Sequence, residues 1–144
     1  MKSKPPVSPS TTSPLADLLV KEFRTCQDLH YLIREERRAV LNHDERLIDA
    51  LATQKQRLLE ELNRLDSAVQ RKIRDIGQAM VARENPNFPF TAAKILAEYD
   101  RETFGRHYSL YEGILALKEI ISAMDSVNQT LAVPIPGNQP QFLP

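Results

Sequence analysis

Ten prolines punctuate this 144-residue chain, and none falls inside its two longest stretches. Pro5, Pro6, Pro9 and Pro14 lie at the front, Pro86 and Pro89 in the middle, and Pro134, Pro136, Pro140 and Pro144 at the end. Proline lacks an amide proton and its ring clashes with the preceding turn, so long helices are confined to residues 15–85 and 90–133. The front, Lys2 to Ser13, mixes Ser, Thr, Pro and Lys without periodicity; residues 1–13 read as a disordered arm. With 4 glycines and no tryptophan, the chain is short of material for a glycine-rich phosphate loop or a multi-strand sandwich.

Ser13 before Pro14 supplies a capping hydroxyl and then a residue preset for the first helical position. Asp17 places an anion in the first turn, where the helix dipole favours it. A first helix therefore starts near Pro14. Positions 15, 19, 22, 26, 29, 33, 36 and 40 alternate steps of four and three and carry Leu, Leu, Glu, Cys, Leu, Ile, Glu and Val. This is a coiled-coil seam with two charged interruptions. Leu18 and Leu32 widen it as a bundle helix requires. The register is lost near Asn42, His43 and Asp44, and Asp44 can accept backbone N–H bonds at the start of a second helix, so a tight reversal here makes an antiparallel hairpin.

The second helix carries Leu47, Leu51, Leu58, Leu62, Leu65, Val69, Ile73, Ile76 and Met80 at helical spacings, with its end expected at Asn85 because Pro86 disfavours helix before it. From Asp44 to Glu84 it would be about 60 Å long, against about 42 Å for Leu15 to Asn42. Its apolar end, Ile73 to Met80, therefore needs cover from the sequence that follows. Residues 85–90 form a rigid apolar loop, Thr91 is the next cap, and Phe90 with Ile95 forms a hydrophobic staple. A short helix to about Tyr99 and a break near Gly105 precede a last helix from about Arg106 to Leu131. Positions 110, 114, 117, 121, 124, 128 and 131 of that helix read Leu, Ile, Leu, Ile, Met, Asn and Leu, the cleanest heptad seam in the chain. Phe104, Tyr108, Tyr111 and Leu115, and Ile120 with Val127, lie off it. One buried seam does not account for so many apolar residues. The fold expected is all-α: an antiparallel hairpin, a short helix and a long C-terminal helix in a coiled-coil-like bundle over residues 14–132, followed by a Pro-containing tail at 133–144.

The 19 Lys and Arg balance 19 Asp and Glu, so no net charge draws the chain to phosphate backbones or anionic lipid. No apolar run approaches the roughly 20 residues that a bilayer crossing needs. Neither nucleic acid nor a membrane span is expected. The start, Met1 to Pro14, lacks the apolar core of a secretory signal and Cys26 has no second cysteine to pair with, so the cytoplasm is the expected compartment.

Residue patterns for catalysis or metal binding do not assemble. Di-iron bundles use Glu-x-x-His, but His30, His43 and His107 follow Gln27, Val40 and Phe104 at that spacing; each His reads as a solvated or capping side chain. Zinc signatures are missing, and no metal or cofactor is expected. Cys26, on the first seam, reads as a core thiol. Glu35-Glu36 and Glu60-Glu61 sit among Arg and Lys and read as solvated ion-pair faces rather than acid/base pairs. A phosphotransfer bundle would have to use His30, which lacks the Lys and Gly that leave room for a phosphoryl group. The chain is read as a binding protein and not an enzyme. Exposed apolar stripes at helical spacing mark partner surfaces.

The run Glu35-Glu36-Arg37-Arg38-Ala39-Val40-Leu41-Asn42-His43-Asp44, continuing through Ile48, Leu51, Lys55, Leu58, Leu59 and Leu62, resembles the FlgN family of flagellar export chaperones. Asp44, Ile48 and Lys55 keep that family's spacing, and Asn128 stands three residues before Leu131 in the last helix. His43 stands where the family tends to have Gly, so the turn must reverse in another way. The resemblance spans about residues 15–131. It implies a cytoplasmic chaperone that holds hook-filament junction (hook-associated) proteins before type III export, by packing its last helix against the client's terminal amphipathic helix. The partner-binding residues expected are Leu117, Ile120, Ile121, Met124, Val127 and Leu131. The alternative is a structural coiled-coil protein that self-associates through the same helix.

Overall fold

The computed structural model describes residues 13–83 and 91–132. Four helices, α1 (Pro14–Leu41), α2 (Glu45–Arg83), α3 (Ala92–Thr103) and α4 (His107–Ala132), account for nearly all of them, and no strand occurs among the described residues. The chain is an all-α bundle. Of the expected arm over residues 1–13, only Ser13, which caps α1, is among the described residues; the rest of it, the loop with its Phe90 staple, the helix end at Asn85 and the tail at 133–144 lie outside them.

The helix starts are those the capping residues dictate. Ser13 Oγ accepts the Ala16 N–H at 3.2 Å, Asp44 Oδ1 that of Leu47 at 3.1 Å, and Thr91 Oγ1 that of Lys94 at 3.2 Å. Each satisfies an amide that the first turn leaves without a helical partner. The hairpin reverses through His43 itself, which takes a left-handed backbone with φ 55°. The His43 N–H bonds Val40 O at 3.1 Å and the Asp44 N–H bonds Ala39 O at 2.9 Å, the paired bonds of a Schellman ending with His where Gly is usual. α3 runs one turn beyond the expected end at Tyr99, because nothing between Tyr99 and Thr103 stops a helix and the Thr103 hydroxyl bonds back to Tyr99 O at 2.8 Å. Phe104, left-handed at φ 55°, ends it, and Gly105 follows.

α1 is the shared wall of the bundle. It packs along its length against both α2 and α4, whereas α2 and α4 reach each other through long polar side chains. Ser13 meets His107, Glu22 meets Lys118 and Ile33 meets Asn128, so α1 and α4 run parallel. Lys55 meets both Glu36 and Asp125, and Gln70 meets Tyr111, so α2 runs antiparallel to both. The core is the first seam, Leu15, Leu19, Cys26, Leu29 and Ile33, against Leu62, Val69 and Ile73 of α2 and Ile114 and Ile121 of α4. α3 folds back so that Ile95 and Leu96 join Ile73 and Met80 in that same core, covering the overhanging end of α2.

Candidate functional site

α4 presents different chemistry on each side. Ile114, Ile121 and Asn128, seven residues apart, are buried against α1. Leu110, Leu117 and Met124 are half-buried and pack on the core. Ile120, Val127 and Leu131 remain 49%, 45% and 45% exposed. At 100° per residue these three share a flank with Leu117 and Met124, and Gly113, Ala116 and Ala123 keep the flank low between them. The six residues expected to bind a partner thus divide. Ile120, Val127 and Leu131 form an open apolar flank, with Leu117 and Met124 at its inner margin. Ile121 is corrected to a core residue, 7% exposed, because it faces α1 one residue round from Ile120. Tyr108 and Leu115, also exposed, lie on the opposite side of α4, and Phe104 projects at the α3–α4 turn.

The far wall of this flank belongs to α1. Phe23 lies beside Gly113, where a Cβ would meet its ring at 3.4 Å, an ordinary contact distance, so the two helices adjoin there. By helical spacing His30, Arg34, Arg37 and Leu41 continue the Phe23 edge towards the end of α1, and Leu41 is 58% exposed. These α1 residues do not emerge from reading α4 alone, because nothing in the spacing along one helix says which edge of another lies beside it.

The two charged interruptions of the first seam are filled from the other helices. Glu22 is buried, and Lys118 Nζ reaches its Oε2 at 2.8 Å and Asp66 Oδ1 at 3.1 Å. No donor is aligned on Glu22 Oε2 among the described residues, so that oxygen is ion-paired without a directed hydrogen bond. Burial raises the Glu22 pKa, and the Lys118 ammonium only partly offsets this. Burial works against the charge on Lys118, but its contacts with Glu22 and Asp66 prevail and raise its pKa. Burial pushes the neighbouring Cys26 thiol up to about 11, which leaves it an unreactive core group.

Farther along, Lys55 Nζ pairs with Glu36 at 3.2 Å and with Asp125 Oδ1. Burial again opposes the Lys55 charge, and the hydrogen bonds to Asp125 and Glu36 outweigh it. Asn128 donates to Ile33 O at 2.9 Å and to Glu36 Oε1 at 2.8 Å, and accepts from Arg37 Nε at 2.9 Å. Glu36, read from the sequence as part of a solvated face, is instead a bridge between three helices. Asn128 is fully satisfied, and a buried amide of this kind specifies one register of α4 on α1.

At the other end, His107 is buried, not solvated. Its Nδ1 lies 2.7 Å from Asp100 Oδ1 and its Nε2 2.9 Å from Ser13 Oγ, with the Tyr99 ring packed against it. Asp100 is an acceptor, so the Nδ1 that faces it carries a proton, and Nε2 and the Ser13 hydroxyl share the second bond. The order of groups is that of a hydrolase triad, but its members already serve as caps. Ser13 Oγ accepts the Ala16 amide, the next residue is Pro14 with no N–H to offer an oxyanion, and Asp100 accepts the His107 and Tyr108 amides at 2.9 and 2.8 Å. The cluster is a joint that ties the starts of α1 and α4 together.

An open groove of about 440 Å³ between α1 and α2, away from α4, has charged and apolar sides that include Asp28, Tyr31, Glu35, Arg57 and Leu58. No set of three or more His, Cys, Asp or Glu that could hold a metal occurs among the described residues, and no described helix is long and apolar enough to cross a membrane. Comparison with protein-family models, curated proteins and solved structures found no match.

Proposed function

We propose that this chain is a cytoplasmic binding protein, a FlgN-like chaperone that holds a flagellar hook-associated client before type III export by packing α4 against an amphipathic helix of the client. The observation that carries the reading is the open flank of Ile120, Val127 and Leu131, an apolar face on a helix whose adjoining inner seam is already packed. The likeness of residues 35–62 to that family supplies the client class. Helix-in-groove recognition uses anchors at such spacings. No catalytic step enters the reading.

The test is titration of a peptide spanning the terminal helix of a hook-filament junction protein, by calorimetry, into the chain and into an Ile120→Asp/Val127→Asp variant. Because both positions are about half exposed, the variant is expected to fold, and its helical signal and melting point are measured alongside so that affinity is compared between folded chains. The expected result is at least a tenfold loss of affinity, equivalent to about 1.4 kcal/mol or more. Equal affinity of the two proteins removes the flank from consideration, and no binding by either removes the chaperone reading. Light scattering separates the alternative: a mass that rises with concentration, and falls in the variant, makes the flank a self-association surface.

A further inference from the structure

The apolar flank is not electrically uniform along its length, and this bears on which way a partner helix lies. Arg37, held to Asn128 at 2.9 Å, places the basic edge of α1 beside the last turns of α4. Arg34 shares that edge, is exposed, and has no ion-pair partner among the described residues. Towards the other end, Glu112 and Glu119 stand seven residues apart, about 80° round α4 from Ile120 and Val127 on the side of Tyr108 and Leu115, exposed and likewise without an ion-pair partner among the described residues. Because α1 and α4 run parallel, their C-terminal carbonyls also lie at the same end, and the last turn of α4 carries no basic residue to offset its dipole.

We infer that the occupant of this flank is an amphipathic helix running antiparallel to α4, with acidic residues in its first turn over Arg34 and Arg37 and basic residues in its last turn beside Glu112 and Glu119. This rests on the docking reading above. Acidic residues in a first turn and basic residues in a last turn complement the partner's own dipole, so one charge pattern satisfies both partners. The antiparallel direction sets the partner's positive end against the C-terminus of α4, whose last turn carries no basic residue, whereas a parallel partner would set negative against negative. From Leu117 to Leu131 the flank is about 21 Å long, room for about four helical turns.

Two synthetic 18-residue peptides test the charge pattern. Both carry one Leu/Ile face; one has Glu in its first turn and Lys in its last, and the other has these reversed. Each is titrated by fluorescence anisotropy into the full chain and into Arg34→Glu, an exposed position whose replacement leaves the fold intact. The acid-first peptide is expected to bind the full chain about three- to tenfold more tightly at low salt, to lose that advantage at high salt, and to lose or reverse it in R34E. A nitroxide on its N-terminus is expected to broaden the amide signals of residues 127–132 and to spare 112–116. Equal binding of the two peptides, or broadening at 112–116, overturns the charge register and direction while docking itself stands. Failure of both peptides to bind overturns the docking reading and this inference together. A peptide-free chain whose mass rises with concentration makes a second copy the occupant and overturns it too.

Discussion

His43 shows how much one backbone torsion costs. At φ 55° a non-glycine residue is less stable by roughly 1 kcal/mol than glycine in the same place. His43→Gly is therefore expected to raise the unfolding free energy by about 0.5–1 kcal/mol, read as a later urea midpoint with an unchanged slope; an earlier midpoint overturns the assignment of strain to this turn. Gly105 is the reverse case. A Cβ there would lie 2.7 Å from the His107 ring, so even alanine would press the imidazole away from Asp100. The caps Ser13, Asp44 and Thr91 were legible in the sequence because their partners lie three residues away. The role of His107 was not, because one of its partners is 94 residues distant and the imidazole carries no mark of where it will point.

At the scale of the helix, heptad spacing marked the buried positions of α1 and, in α4, Ile114, Ile121 and Asn128, but it also placed Leu131 on the seam, where the structure leaves it exposed, and it left the charges within α1 unexplained. Glu22 and Glu36 look like interruptions along α1 because their cations, Lys118 and Lys55, arrive on other helices in a register that spacing along one helix does not encode. Burial makes the Glu22 carboxyl hold its proton more tightly folded than unfolded. Its contribution to stability is thus fully present below its ordinary value of 4.5 and is lost as pH rises through the higher folded value. The stability of the natural chain relative to Glu22→Gln is expected to fall as pH is raised from about 4 towards neutrality, measured as unfolding free energies of both proteins across that range. A difference that stays flat or grows with pH refutes the buried-carboxyl account.

For the molecule as a whole, the surplus of apolar residues on α4 was legible, but its division was not. Ile120 and Ile121 are neighbours with opposite fates, decided by the line along which α1 approaches. The parallel course of α1 and α4 was equally hidden, since it depends on α3 turning back over Ile73 and Met80. That course has a consequence for how the molecule assembles. α1 and α2 meet across a turn of Asn42, His43 and Asp44, whereas the Ile33–Asn128 contact that seats α4 closes 95 residues of chain. Short loops close sooner than long ones, so the hairpin is expected to gain amide protection before α4 does in pulsed hydrogen exchange; simultaneous protection would contradict this. The last helix then arrives late, gaining its protection as a waiting wall captures it, and the refolding of this chain would rehearse within one polypeptide the event we propose for its outer flank.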